Sequence, residues 1–283
     1  MAASLNPYIS QCSEAFDAEK SSQYRMAIQF SLGGLSFALL DCQTNALVGL
    51  EFYQSDWLVD SDDLFHTLER ALASKDLNNK TFRSVSCLFD NRFCTLVPKP
   101  WFNEVDQAKY LEFTSQIPEG FAIGSEKLEK AGCHNVFAFP KALQDKVLAK
   151  WKDTQIRHTS TLFINKVMEN QPATRAFVNV RNRDFDMAIR KDGKLLFFNN
   201  FRFNTKEDFA YFLLFAMEQN GLSGQDTSVC FSGLIRPASE IIALCGRYVK
   251  DIHFVEAPES LNTNQTFKEV PFQYYFIHYQ ALR

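Results

Sequence analysis

Two short turns in the sequence carry residue types that could hold a phosphate group or another anion. The first contains the pair Gly33 and Gly34 between two apolar runs. Glycine has no Cβ, so a backbone amide beside it can approach a phosphate closely. The turn has no acidic residue to hold Mg²⁺, which prefers oxygen ligands. The glycines therefore predict either a phosphate-binding turn without a metal ligand or an ordinary tight hairpin.

The second turn, residues 181–184, has charged side chains and no glycine. Asp184 could act as a surviving acid, and Arg181 and Arg183 could bind an anion through charge-assisted hydrogen bonds. A solvated turn has the same polar composition. Both interpretations are open from the sequence.

A histidine beside three hydroxyl residues is a third candidate site. His158 precedes Thr159, Ser160 and Thr161 at a predicted helix start, where free backbone amides favour an anion. A histidine can also polarise a nucleophile, although the sequence offers His158 no fixed carboxylate partner. Helix capping explains the same pattern without any ligand.

The five histidines and seven cysteines do not form a metal-binding pattern. Cys133 and His134 are adjacent, but no further ligand lies at helix or loop spacing from them. An odd number of scattered cysteines is typical of reduced thiols in a cytosolic protein. We therefore predict no metal site, no disulfide and a cytoplasmic location.

The composition is that of an ordinary globular protein. The chain has 283 residues, of which 46% are hydrophobic and 22% charged, and its formal net charge is −3. Without a basic run it is a poor partner for nucleic acid, because phosphate binding needs clustered lysine and arginine. No apolar run approaches the ~20 residues that span a bilayer, so we predict no membrane insertion. Residues 1–20 form a polar segment without the apolar core of a secretory signal.

The elements that must position these turns recur along the chain. A gapless offset of 145 positions places residues 46–72 on residues 191–217, so that Leu50 meets Leu195 and Leu64 meets Phe209. Three strands are predicted before the helix of each unit, at 24–31, 35–41 and 46–53 and again at 175–180, 185–190 and 194–201. The fourth and fifth strands are predicted at 82–89 and 136–139 and at 227–231 and 252–255, with a helix between the members of each pair. The order β-β-β-α-β-α-β thus occurs twice.

A proline marks the boundary between the two units. Pro172 disfavours helix in the residue before it, and the strand pattern restarts directly afterwards. We predict an N-terminal segment at 1–20, a first subdomain with linking helices at 21–170, and a second subdomain with a C-terminal helix at 171–283.

Acidic residues cluster at the start of the first long helix in each unit. Ser61, Asp62 and Asp63 are predicted to cap the first of these helices. Asn204 or Thr205 caps the second, with Glu207 as a capping-box partner if Asn204 is the cap. These acids complement the helix dipole and are not expected to take part in catalysis.

The repeated order is that of the ribonuclease H-like fold, and two tandem copies resemble the actin-like ATPase superfamily. The resemblance implies an α/β architecture of two ribonuclease H-like subdomains with a central interdomain cleft. Three segments, CTLVPKPWF, IRHTSTLF and GKLLFFNNFRFNTKEDFAYFLL, resemble an uncharacterised bacterial family with a degenerate version of this fold. That family is distantly similar to pilus-assembly and cell-division actin-like proteins.

This resemblance gives the turns a specific meaning. Actin-like ATPases place phosphate loops in the first hairpin turn of each half, with an aspartate beside glycine, and a glycine pair near the adenosine. Gly33 and Gly34 lack the acid, Asp184 lacks the glycine, and Gly233 stands alone where a pair is expected. Because phosphoryl transfer uses acids to position metal and water, the pattern does not support ATP hydrolysis.

We therefore predict a non-catalytic actin-like scaffold or adaptor that binds a protein partner in or beside the interdomain cleft. No cofactor is expected, and a homodimer is left open. The alternative is a nucleotide-binding ATPase or kinase-like enzyme, in which Gly33, Gly34, Asp184 and Gly233 would hold ATP and Mg²⁺.

Overall fold

The computed structural model, which describes residues 6–31, 33–55, 59–169, 173–263 and 265–283, is a mixed α/β structure. We call residues 6–169 the first half and residues 173–283 the second half. The first half contains β1 (Pro7–Cys12), β2 (Tyr24–Ser31), β3 (Gly34–Asp41), β4 (Ala46–Gln54), α1 (Ser61–Ala73), β5 (Ser84–Asp90), β6 (Cys94–Pro98), α2 (Gln107–Glu112), β7 (Phe121–Leu128), β8 (Cys133–Pro140), α3 (Lys141–Lys150), β9 (Gln155–His158) and α4 (Thr159–Val167). The second half contains β10 (Arg175–Val180), β11 (Asp184–Lys191), β12 (Lys194–Arg202), α5 (Lys206–Gln219), β13 (Ser228–Gly233), α6 (Glu240–Cys245), β14 (Ile252–Phe254) and α7 (Phe272–Leu282).

The two large sheets share one topology. Their strand orders are β1-β4-β3-β2-β5-β9 and β12-β11-β10-β13-β14. In each sheet an antiparallel three-strand meander is extended by two parallel strands. Apart from the additional edge strand β1, the order is that of the ribonuclease H-like fold, so the predicted tandem architecture is confirmed.

Helices cover both faces of the first sheet, which explains why its central strands are apolar almost throughout. Strand β3 is buried along seven of its eight residues. Phe37 and Leu39 face α1 and α3, whereas Ala38 and Leu40 face α7. The alternating side chains of one strand therefore belong to two different cores.

Residues 94–140 form a third, smaller sheet, and this corrects the predicted order of the first half. The sheet has the order β6-β8-β7 and packs against the short helix α2. The predicted fifth strand at 136–139 belongs to β8, and the fifth strand of the large sheet is β9. Strand β9 has only four residues, with Gln155 and Arg157 among them, so it shows no apolar run from which a strand could be predicted.

The polar segment 1–20 contains the edge strand β1, which the sequence pattern did not indicate. This strand pairs antiparallel with β4, where Ile9 lies opposite Phe52. The ring of Tyr8 lies 5.8 Å from that of Phe52. Pairing with a buried neighbour strand thus orders a segment whose composition alone is that of a loop.

Both predicted helix starts are capped, with different residues in the capping positions. Asp60, not residues 61–63, caps α1 by accepting a hydrogen bond from Asp63 N at 2.8 Å. Thr205 caps α5 in a capping box whose partner is Asp208 instead of Glu207. The backbone amides of Asn204 and Thr205 lower the pKa of Asp208, so this acid stabilises the helix start as predicted.

Helices α4 and α7 join the two halves. Helix α4 follows the last strand of the first half and contacts β11, while α7 follows the last strand of the second half and contacts β2 and β3. The two helices also pack on each other, and Leu162, Ala188 and Phe276 share one buried cluster between the halves. No helix among the described residues is long and apolar enough to cross a membrane.

A buried histidine on α7 predicts a pH-dependent stability. His278 is 2.8 Å from Ser36 Oγ through Nε2, and burial lowers its pKa from 6.5 to about 4. Between about pH 6.5 and pH 4, His278 therefore carries a proton in the unfolded chain but not in the folded state. The free energy of unfolding falls as the pH is lowered through this window. We expect His278→Gln to reduce the slope of unfolding free energy against pH by up to about 1.4 kcal/mol per unit. Urea unfolding of both proteins at several values from pH 7 to 5 measures this, and identical slopes would contradict it.

Candidate functional site

The hairpin turns of the two meanders face one cavity between the halves. Its volume is about 810 Å³. Gly33 and Arg183 line it from the two turns, and Asp90 and Gly233 line it from the ends of β5 and β13. These four positions meet because the parallel strands of each sheet end at the same edge.

A single arginine from the second turn occupies the centre of a carboxylate cluster. Arg181 binds Asp186 through two nitrogens, at 2.5 and 2.9 Å, and binds Asp184 through Nε. Its Nη1 also lies 3.3 Å from Asp90 in the first half. The Arg181 side chain is only 11% exposed and that of Asp186 1%. Asn200 Nδ2 donates a further hydrogen bond to Asp186 at 2.9 Å.

Asp90 connects this cluster to the first half. Its two oxygens accept hydrogen bonds from Thr159 Oγ1 at 2.8 Å and Gln29 Nε2 at 3.1 Å. Burial raises the pKa of Asp90 to about 6, against the opposing effect of the Arg181 charge. The ion pair between Asp90 and Arg181 therefore joins the end of β5 to the second turn across the cleft.

Two of the acids in the cluster were missed by reasoning from the sequence. Asp90 directly follows the predicted strand 82–89, and Asp186 lies inside the predicted strand 185–190. The available signal was the position of Asp186 inside an apolar strand, since a buried charge requires a partner. Nothing in the sequence pattern pairs Asp90 with Arg181, because 91 positions separate them.

Two glycines at the site are explained by close approach of backbone strands. A Cβ on Gly34 would lie 2.1 Å from Tyr53 O, and a Cβ on Gly233 would lie 2.1 Å from Val180 O. Gly233 also has a φ of +85°, which side-chain-bearing residues rarely adopt. Packing against neighbouring strands therefore requires both glycines, whatever the cavity holds.

His158 lies outside the cavity lining as described and is 1% exposed. It caps α4, where its Nδ1 accepts a hydrogen bond from Ser160 N at 3.2 Å. Burial and the nearby Arg181 charge lower its pKa to about 3, so the ring is neutral near pH 7. The hydroxyl of Ser160 is 2.6 Å from Nδ1, and Asn135 donates to Ser160 Oγ at 2.9 Å. The arrangement is that of a buried helix cap.

The predicted fold implies ATP and Mg²⁺, and the chemistry of the cluster shows whether such a metal ion would fit there. A metal ion bound with a nucleotide needs carboxylate oxygens that are free to coordinate it. The carboxylates of Asp90, Asp184 and Asp186 instead contact the guanidinium group of Arg181. Among the described residues no group of three His, Cys, Asp or Glu is arranged to hold a metal ion. The residues at this position therefore do not fit a nucleotide-bound metal.

The sequence matches one known protein family. A family described as "Protein of unknown function (DUF3822)" matches residues 13–252, most of the chain. The chain belongs to this family. The description of the family states no activity, and no curated protein matches the chain.

Solved structures of low sequence identity share the fold of this family member. A Bacteroides thetaiotaomicron protein described as having an actin-like ATPase fold and unknown function is 19% identical, with a TM-score of 0.71 over 85% of this chain and 93% of that one. The PilM-PilN type IV pilus biogenesis complex contains a chain that is 11% identical, with a TM-score of 0.60 over 91% of this chain and 97% of that one. The predicted actin-like ATPase fold and the resemblance to a family of unknown function are both confirmed.

Proposed function

We propose that this protein is a non-hydrolysing actin-like scaffold or adaptor that binds a protein partner. The observation that supports this most is the position of Arg181 among Asp90, Asp184 and Asp186. In phosphoryl transfer, acids of this kind would hold a metal ion and position the attacking group. Here the guanidinium group of Arg181 contacts all three acids and offsets part of their charge, and its own charge cannot be removed near neutral pH.

The glycines support the same proposal. Gly34 and Gly233 were candidates for phosphate contacts, yet each is already required by the backbone of a neighbouring strand. The fold therefore keeps these glycines without any need for a nucleotide. A scaffold needs only the rigid two-half architecture, which α4 and α7 hold together.

The PilM structure gives a precedent of modest weight. That structure is a PilM-PilN complex of type IV pilus biogenesis, and a protein with a fold of this class can therefore serve as a binding partner. Fold alone does not define function, so this likeness supports the type of role and not the identity of a partner. We further propose a cytoplasmic role, since all seven cysteines lie within the described residues and are unpaired.

Thermal unfolding with nucleotide tests the proposal. We expect millimolar ATP with Mg²⁺ to leave the melting temperature unchanged and to release no phosphate. A ligand at 100 times its Kd would stabilise the folded state by about 2.7 kcal/mol, which is easily detected as a shift of several degrees. Such a shift together with turnover would overturn the proposal in favour of an ATPase or kinase-like enzyme.

A further inference from the structure

Three exposed arginines surround the cavity between the halves. Arg92 lies between β5 and β6, Arg183 lies in the turn before β11, and Arg202 ends β12. Within the part of the chain that the structure describes, none of them has a carboxylate partner, and only Arg92 has a ring contact, 5.5 Å from the centroid of Phe93. We call these three residues the arginine rim.

Unpaired cations also occur elsewhere on the described surface, for example at Arg247, Lys250 and Lys268. What distinguishes the arginine rim is that three such cations line one cavity of a chain whose net charge is −3. Guanidinium groups bind carboxylates and phosphates through two parallel hydrogen bonds. Because the arginine rim includes residues from both halves, one extended anionic ligand could contact both of them.

The cavity wall inside the rim is largely apolar. Its apolar lining residues come from both halves and include Leu35, Phe52, Val59, Phe93, Phe121 and Ile277. Cavities of this size usually bind ligands through apolar walls and a few directional polar groups. A ligand for this site therefore needs apolar side chains in addition to its negative charge.

One polar group in the cavity is available to a ligand backbone. Asn179 lines the cavity and is 4% exposed. Its Oδ1 accepts a hydrogen bond from Ser232 Oγ at 3.0 Å, whereas its amide nitrogen has no acceptor among the described residues. This nitrogen is not one of the fully buried polar atoms without a partner, so it is accessible and can donate a hydrogen bond to a ligand carbonyl or to water.

The distribution of charge favours a peptide over a nucleotide. The exposed edge carries the three arginines and one acid, the helix cap Asp60, while Asp90 and Asp184 line the interior beside Arg181. Three aspartates with one arginine leave negative charge at the centre, which would repel the concentrated charge of a triphosphate. An extended peptide instead separates its side chains by about 3.3 Å per residue and points them alternately to opposite sides. It can place carboxylates on the rim and apolar groups within.

We propose that the cavity binds an acidic peptide segment of the partner protein, with carboxylates on the arginine rim and apolar side chains against the inner wall. This rests on the proposed scaffold function and specifies the chemistry of its partner. The carboxylates supply charge-assisted hydrogen bonds, and a peptide carbonyl accepts from Asn179. Binding across both halves makes the intact fold the recognition unit.

Fluorescence polarisation with defined peptide pools tests this proposal on the full chain. The probe is a labelled heptapeptide pool with Asp or Glu at four positions and Phe, Leu or Ile at three. One matched pool replaces the acids with Asn or Gln, and another replaces the apolar residues with Ser. We expect only the acidic apolar pool to bind, with an affinity that falls at least about tenfold between low and high salt.

Charge-reversal variants locate the site. The variant Arg92→Glu, Arg183→Glu, Arg202→Glu should weaken binding at least about tenfold, because each lost pair is replaced by repulsion. The matched control is Arg247→Glu, Lys250→Glu, Lys268→Glu, which changes net charge equally at exposed residues outside the cavity lining. At a salt concentration that screens long-range charge effects, this control should bind the acidic pool with an affinity within about twofold of that of the parent protein. If the glutamate variant is unstable, the variant Arg92→Gln, Arg183→Gln, Arg202→Gln takes its place in the same measurement.

The possible outcomes distinguish failure of the proposed peptide site from failure of the proposed scaffold function. Equal binding by the rim variant and the parent, equal binding of all pools, or no binding at all would overturn the proposed site. Displacement of the acidic pool by millimolar ATP would also overturn it, and would identify a nucleotide pocket. If the peptide pools fail while ATP gives neither stabilisation nor turnover, the cavity site is lost but the non-hydrolysing scaffold remains.

Discussion

Replacing Arg181 with methionine is expected to lower the free energy of unfolding by about 3–5 kcal/mol, because it leaves buried carboxylates without a cation. Asp186 would lose both of its hydrogen bonds to the guanidinium group and keep that from Asn200. Asp90 would lose its ion pair with the second half. Methionine conserves much of the side-chain length, so lost charge and not lost volume should dominate. Urea unfolding at pH 7 measures the change.

Two comparisons separate the cation from other effects of the substitution. Arg183→Met changes an exposed arginine in the same turn and should cost less than about 0.5 kcal/mol. Adding Asp90→Asn and Asp186→Asn to the Arg181→Met protein should recover about half of the loss or more, because the uncompensated charges are then removed. Failure of this recovery, or an initial loss below about 1 kcal/mol, would mean that the charge of Arg181 does not stabilise the cluster.

The response to Mg²⁺ independently tests whether Arg181 takes the place of a metal ion. If Arg181 takes the place of a metal ion, its removal frees oxygen ligands from Asp90, Asp184 and Asp186. We therefore expect millimolar Mg²⁺ to raise the melting temperature of the Arg181→Met protein and to leave the parent protein unchanged. An equal response from both proteins would contradict this.

The fold could be predicted from the sequence because its information is local and is repeated. The strands at 24–31 and 175–180 were located to the residue, since each is a short apolar run between turn signals. The order of elements in the second half was then recognisable from the first. The separate sheet within residues 94–140 was not predicted, because an inserted sheet has no counterpart in the other half with which it could be aligned.

The candidate site could be predicted only in part, because its central contacts are distant in sequence. The turn containing Arg181 was identified, and it does face the cavity. Its contact with Asp90 depends on how α4 and α7 bring the two halves together, which no local pattern encodes. Charge alone suggested that Arg181 binds an anion, and the anions that the structure provides are side chains of the same chain.

Replacing Phe209 with alanine is expected to lower the free energy of unfolding by about 3–5 kcal/mol. Phe209 is fully buried at the first turn of α5. Its ring centroid lies 4.3 Å from that of Phe185, 5.2 Å from Phe203 and 6.3 Å from Phe231. These rings join the helix to three different segments of the second half. The space that Phe209→Ala leaves therefore cannot be filled by a shift of one side chain. Urea unfolding followed by circular dichroism measures the loss.

A second aromatic residue on the same helix provides the matched control. Phe215 is 44% exposed, so Phe215→Ala removes a ring of equal size that is only about half buried and should cost about half as much as Phe209→Ala or less. The three tryptophans of the chain all precede residue 170, and their fluorescence therefore reports on the first half alone. Because α4 and α7 pack the halves into one another, we expect Phe209→Ala to shift the fluorescence transition by as much as the circular dichroism transition. A fluorescence midpoint that stays at the parent value would show that the halves unfold separately and that their contact is too weak to form one binding unit.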